Sequence, residues 1–238
     1  MKNISEEQLE ELEIFNGVSK SSLSKLKDFG EVKKYKPGNH LFRDKEEVST
    51  LYVVLSGSIS LYKLNENGNK RVIFILGRGK MINDVIIQDL PSSINCEIFE
   101  ESYILSYDKY TFLKIMEDDF ILTKNVMFSL AMKVRRLYRQ LKNATGVVRM
   151  EKKLAAKLWK LSRDYGVKCE DGVTINMNIS VTYLADLLGS KRETVSRSLK
   201  ILLDNKLIKY ENRKIKVIDQ DKLSKFFKAP WFISRCFN

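Results

Sequence analysis

Apolar residues recur at helical spacing over residues 4–29, with Ile4, Leu9, Leu12, Phe15, Val18, Leu23, Leu26 and Phe29 in the pattern. Steps of three and four residues bring side chains to one face of an α-helix, so one or two short helices are predicted. The pattern changes at residue 31. From 31 to 108, short β-rich runs alternate with turn residues at Pro37-Gly38, Ser56-Gly57, Asn67-Gly68, Gly77 and Gly79. Asn67-Gly68 separates LYKLN from KRVIFIL. Both residues accept the positive φ of a type I′ turn, so a hairpin is predicted. Regularly spaced strands of this kind build an antiparallel barrel or sandwich.

From Lys109 the helical period returns and runs to about Asn143. Ile121, Leu122, Val126, Met127, Leu130, Met132, Val134, Leu137 and Leu141 make a broad stripe. Part of such a stripe can dock on the β-domain. The rest, assigned to Val126, Leu130, Val134, Leu137 and Leu141, can meet a second copy of the chain. The plainer reading is an intradomain helix. Ala144-Thr145-Gly146 interrupts the period. The expected organisation is therefore a β-roll with short N-terminal helices over 1–108, a long helix over 109–143, and a further domain over 144–238.

That last region opens with a basic helix from Arg149 to about Tyr165, its apolar face formed by Met150, Leu154, Leu158 and Leu161. VTINMNIS is strand-forming. Ser180–Ile208, SVTYLADLLGSKRETVSRSLKILLDNKLI, predicts a helix, a turn centred on Gly189 and a second helix. LIKYENRKIKVID then predicts a hairpin, or wing, with Asn212-Arg213 at its tip. The tail, DKLSKFFKAPWFISRCFN, predicts a helix using Leu223, Phe226 and Phe227. Its aromatics Trp231, Phe232 and Phe237 need cover, from the wing domain or from a partner.

The second helix carries the most specific chemistry. Arg192, Glu193 and Arg197 leave an α-helix within an arc of about 140°. Arginine pairs bidentately with acceptors on a guanine edge, and glutamate accepts from a cytosine amino group. Such a helix suits a DNA major groove. Ser190 and Glu193 also fit a capping box, in which Glu193 would serve only the helix start. Ser190 and Ser198 stand where this motif more often buries an aliphatic side chain.

Charge sharpens the picture. Residues 1–131 carry 17 Lys and Arg against 20 Asp and Glu, net −3, and residues 132–238 carry 25 against 10, net +15. From Lys133 to Arg163 there are 11 basic residues and one acid, Glu151. A polyanion partner for one half only is implied, and phosphate backbones supply it. The N-terminal residues lack a signal-peptide pattern and the apolar runs are too short to span a bilayer, so a cytoplasmic location without membrane contact is expected. Cys96, Cys169 and Cys236 lie far apart, without the spacing of a zinc or iron–sulfur site. The one histidine, His40, has no ligand set beside it, and no hydrolase or kinase motif is present. No metal, cofactor or catalytic residue is expected.

Three segments in order resemble the cyclic-AMP receptor protein/FNR family of bacterial transcription regulators. GSKRETVSRSLKIL resembles its recognition helix, KPGNHLFRDKEEVSTLYVVLSGSISLYKLNENG the start of its cyclic-nucleotide-binding roll, and MKVRRLYRQL the end of its dimerisation helix. The resemblance covers about residues 15–220. It implies an α+β architecture: a cyclic-nucleotide-binding-like β-roll, a long dimerisation helix and a C-terminal winged helix-turn-helix. It implies a homodimer on a near-palindromic operator, contacts to RNA polymerase, and an effector that shifts the DNA-competent population. Carried over, Arg192, Glu193, Ser196 and Arg197 read bases. Ser180, Thr182, Lys191, Thr194 and Arg213 hold phosphates. Arg192 is typical of the cyclic-AMP branch and Glu193-x-x-Ser196-Arg197 of the FNR branch, so TGTGA-like and TTGAT-like half-sites both stay open.

The effector segment departs from the pattern. Within GKMINDVIIQDLPSSINCEI, Asn83-Asp84 stands where cyclic-nucleotide binders carry Gly-Glu, and Ser92, beside Ser93, stands where they carry the phosphate-binding arginine. Gln140 and Leu141 replace the Thr-Ser pair that reaches the adenine. The expected effector is an unidentified small molecule other than a cyclic nucleotide, if any, and Asn83, Asp84, Ser92 and Ser93 mark its pocket. Two further functional classes stay open: a non-specific nucleic-acid-binding protein using the basic stretch, and an effector-binding signalling adaptor with a vestigial DNA domain.

Overall fold

The computed structural model describes residues 4–145 and 148–228. They divide into two compact units, one of residues 4–65 and 72–144, the other of residues 66–71 and 145–228. The first unit begins with α1 (Glu6–Glu10), a 3₁₀ turn (Glu13–Phe15) and α2 (Lys20–Phe29). Ser5 and Ser19 cap the two helices through their hydroxyls. Strands β1 (Glu31–Tyr35), β2 (His40–Phe42), β3 (Thr50–Ser56), β4 (Ile59–Leu64), β5 (Lys70–Leu76), β6 (Asn95–Ile98) and β7 (Ser102–Asp108) follow. They form two antiparallel sheets, ordered β1-β7-β3 and β2-β6-β4-β5. Asn67-Gly68 lies between the neighbouring strands β4 and β5; Gly68 takes the expected positive φ of 73° but Asn67 does not, so the type I′ turn expected there gives way to a longer loop.

Alternation along β7 separates two cores, because successive strand residues face opposite ways. Ile104 joins Phe42, Val54, Ile59, Phe74, Cys96 and Ile98. Leu105 and Tyr107 join Leu9, Phe15, Leu26, Leu51, Phe112 and Leu122, where the helices cover the sheet. Cys96 is buried as expected of a structural thiol, and burial raises its pKa well above the ordinary thiol range. Gly57 turns the chain between β3 and β4 with φ 80°, and a Cβ there would lie 2.3 Å from the Glu101 carbonyl oxygen. Only glycine fits both demands.

The single helix expected over 109–143 is two: α3 (Lys109–Asp118) and α4 (Phe120–Thr145). Asp119 breaks them apart with extended φ −133° and ψ 100°. Its Oδ1 accepts the N–H groups of Ile121 (3.0 Å) and Leu122 (3.2 Å), and its Oδ2 accepts that of Ser19 (3.0 Å). An apolar period that runs on through Phe120 cannot signal a break of one residue. Burial pushes the Asp119 pKa up, but hydrogen bonds from Ser19, Leu122 and Ser22 outweigh it and hold the value at about 2. A folded-state pKa below the unfolded one stabilises the fold above about pH 4, and the contribution fades as pH falls toward 2. Asp119→Ala is expected to lower stability by about 2 kcal/mol at neutral pH, with the deficit shrinking in acid. Urea unfolding of both proteins at several pH values checks this; a deficit independent of pH would refute the assignment.

The second unit contains α5 (Met150–Asp164), β8 (Gly166–Cys169), β9 (Gly172–Ile175), α6 (Val181–Leu188), α7 (Arg192–Asp204), β10 (Ile208–Glu211), β11 (Lys214–Val217) and α8 (Gln220–Lys228). The sheet order is β10-β11-β9-β8. VTINMNIS is a strand only as far as Ile175, and its partner β8 gave no period in the sequence. Leu154, Leu158, Ile175, Leu184, Val195, Leu199, Ile215 and Leu223 are each buried in this unit. In α8, Leu223 is buried and Phe226 and Phe227 are half-buried. Trp231, Phe232, Cys236 and Phe237 lie outside the described residues. Among the described residues, no helix is long and apolar enough to cross a membrane, and no group of three or more His, Cys, Asp or Glu could hold a metal.

Candidate nucleic-acid interface

Helix α6 begins at Ser180, whose hydroxyl accepts the Tyr183 N–H at 3.1 Å, and ends at Gly189 in the left-handed conformation, φ 60° and ψ 46°. That reversal launches α7. Val195, Ser198, Leu199 and Leu202 form its inner face. The buried Ser198 donates its hydroxyl to the Thr194 carbonyl at 3.0 Å, which satisfies it where an aliphatic residue was expected. The capping box between Ser190 and Glu193 does not form. Helix α7 starts later, Lys191 is its N-cap, and no side chain bonds across the start. Glu193 is thus free of the duty that the plainer reading gave it.

Arg192, Glu193, Ser196 and Arg197 are exposed, and among the described residues none makes a hydrogen bond or ion pair with another. Helical geometry sets all four within one arc of about 140°. Lys200 stands at the centre of that face, also exposed; it lies beyond the Arg-Glu-x-x-x-Arg motif, which is why the sequence did not single it out. Thr182 is exposed on the first turn of α6, Lys191 is exposed, and Thr194 is half-buried. Asn212 and Arg213 take φ 50° and 63° at the turn between β10 and β11. Two successive left-handed residues make a type I′ turn, and the Arg213 side chain is left exposed at its tip.

The positions expected to mark an effector pocket are bonded internally. Asn83 donates to the Thr50 carbonyl at 2.7 Å and accepts the Tyr52 N–H at 3.0 Å. Asp84 pairs with Lys133 at 2.6 Å and accepts the Ser129 hydroxyl at 2.8 Å. Ser92 folds back on the Ile94 carbonyl at 2.8 Å. Only Ser93 is exposed. A cavity of about 40 Å³ beside Glu13, Gly79, Asn125 and Ser129 includes none of the four.

Helix α4 corrects one expectation about self-association. Val126 is 1% exposed and belongs to the core with Leu122, so it is not available to a partner. Leu130 is half-buried, and Val134, Leu137 and Leu141 are exposed. Met127, the neighbour of Val126, is 61% exposed. Positions 127, 130, 134, 137 and 141 then recur in alternating steps of three and four, the spacing of a coiled-coil seam. That spacing was visible in the sequence; burial was needed to choose Met127 over its neighbour.

Two family profiles match the chain: a cyclic nucleotide-binding domain over residues 32–119 and a Crp-like helix-turn-helix domain over residues 152–226. The chain belongs to the Crp/Fnr family. It is 21% identical to the CRP-like cAMP-activated global transcriptional regulator of Mycobacterium tuberculosis, across 89% of this chain and 95% of that protein. It is 28% identical to the cAMP-activated global transcriptional regulator CRP of Haemophilus influenzae, across 77% of this chain and 82% of that protein. The fold matches the structure of a CooA double mutant from Carboxydothermus hydrogenoformans with a TM-score of 0.73 at 21% identity, covering 91% of this chain and 94% of that one. This Crp/Fnr protein is a DNA-binding transcription regulator with a cyclic-nucleotide-binding-like domain.

The Crp/Fnr assignment does not bring a nucleotide with it. The residues present do not fit a cyclic nucleotide. The Asp84 carboxylate has both oxygens engaged inside the fold, and Ser92, which carries no charge to offset a phosphate, donates its hydroxyl to the Ile94 carbonyl.

Proposed function

We propose that this regulator works as a homodimer on a near-palindromic operator and needs no cyclic nucleotide. In this reading the β-roll region to residue 108 is the sensing domain, the helical segment that follows is the dimerisation element, and the chain from residue 144 binds DNA in the cytoplasm. Arg192, Glu193, Ser196 and Arg197 read base edges. Ser180, Thr182, Lys191, Thr194 and Arg213 contact phosphates, which sets the register of α7 in the groove. Met127, Leu130, Val134, Leu137 and Leu141 form the self-association seam. Any effector is a small molecule of another class, and RNA polymerase is the further protein partner.

One observation carries this reading: α7 turns two arginines and a glutamate outward on a single face, none of them engaged by another described residue. Structural charges would be expected to hold ion-pair partners or caps. Selection from a randomised duplex pool by the purified protein, without ligand, tests it. Enrichment of a two-fold symmetric site, with half-sites about one helical turn apart, is the expected result. Its preference over random duplex should reach ~10³-fold at physiological salt. Binding that is equally strong to all sequences and collapses with salt would instead support the non-specific class.

A further inference from the structure

The inward side of α4 changes character along its length. Leu122 and Val126 are buried apolar contacts at its start. Beyond them the bonds to the roll are polar. Ser129 reaches Asp84, Lys133 reaches Asp84 and two backbone carbonyls, and Gln140 donates to the Ile73 carbonyl at 2.8 Å. The Lys133 ammonium has three acceptors: Asp84 at 2.6 Å, the Met81 carbonyl at 3.0 Å and the Ile82 carbonyl at 3.1 Å. An ammonium has three donors, so every one is matched. The side chains of Lys133 and Asp84 are 12% and 0% exposed.

A buried ion pair is weak as a source of stability, because desolvating two charges offsets most of their attraction. Burial pulls the Lys133 pKa down, and Asp84 opposes that pull. What the pair supplies is direction. Apolar contacts tolerate a slide or a rotation of α4, whereas an ammonium held by three fixed acceptors does not. Residues 81–84 provide all three acceptors. The short segment between β5 and β6 therefore sets the rotation of α4, and with it the direction in which Met127, Val134 and Leu141 face.

We propose that Lys133 acts as a built-in effector: by engaging Asp84 and the Met81 and Ile82 carbonyls, it locks α4 in the rotation that presents the self-association seam without a bound ligand. The inference rests on the dimeric-regulator reading. Lys133 and Asp84 are then positioning residues for DNA binding, though neither touches DNA.

The test uses the full-length protein and its selected operator. Lys133→Met and Asp84→Asn are each expected to weaken self-association and operator affinity by about 10-fold. The double variant D84N/K133M, which leaves no lone buried charge, should regain thermal stability but not affinity. Leu122→Ala serves as control: it should lower Tm and leave self-association and operator affinity unchanged. Wild-type affinity should be the same with and without millimolar cyclic AMP. Single variants that associate and bind like wild type would overturn the inference alone. The inference fails equally if affinity tracks Tm across all four variants, or if the double variant recovers affinity with its stability. A wild-type chain that sediments as a monomer would overturn the dimeric reading and this inference together.

Discussion

Replacing Arg192 and Arg197 together with alanine removes four base contacts from the homodimer and is expected to lower affinity for the selected operator by about 4 kcal/mol or more, at about 1–3 kcal/mol for each bidentate base contact. The loss should be confined to the operator. Both side chains are exposed on the outer face of α7, while its inner face holds Val195, Leu199 and Leu202, so the fold should survive the change. Anisotropy on operator and random duplex separates the possibilities. Base readout predicts that operator affinity drops toward the random-duplex value, with preference relaxed at one base pair per half-site for each arginine. Arg213→Ala, at the wing tip, should behave differently. Two lost phosphate contacts, one per protomer, weaken both duplexes alike and lower the salt slope by about two. If R192A/R197A weakens both duplexes equally, the two arginines are phosphate ligands and α7 is not the reading element.

Val134→Glu is expected to abolish self-association at micromolar concentration. A symmetric seam would bring two like charges together and bury them without partners, a penalty of roughly 3 kcal/mol or more and hence a Kd raised at least ~100-fold. Val134 is exposed within one chain, so the variant should melt as the wild-type chain does once diluted to monomer. Val126→Ala should do the reverse. It opens a hole in the interior beside Leu122, at about 2 kcal/mol of stability, and leaves the association constant alone. Sedimentation velocity with thermal melts reads both properties. A Val134→Glu protein that still sediments as a dimer would move the seam off this face of α4.

The elements most legible in the sequence were those with strong local codes. Asn67-Gly68 and Asn212-Arg213 marked hairpin tips because Asn and Gly favour left-handed φ, which Gly68 and Asn212 take. Gly189 marked the turn between α6 and α7 for the same reason. The outward face of α7 followed from helical period alone, and so did the apolar stripe of α4. Less legible features depended on single residues acting at a distance. Asp119 ends one helix and starts another because it also holds Ser19, one hundred residues away in sequence. The β8 strand exists because β9 pairs with it, through the register Gly166–Ile175 to Cys169–Gly172.

By itself the sequence determined the succession of β-roll, helical segment and helix-turn-helix, the charge asymmetry, and which residues of α7 share an outward face, since each follows from period, turn chemistry or composition within a few neighbouring residues. The tertiary structure decided which apolar residues of α4 are core and which stay exposed, because the two are adjacent on the helix and only the presence of the roll distinguishes Val126 from Met127. It also decided the fate of Asp84. A carboxylate in a loop reads as a ligand-binding group until a lysine 49 residues further along the chain is seen to occupy it. Long-range pairing of buried charges leaves no periodic trace, so only the folded chain reveals that this site carries its own cation.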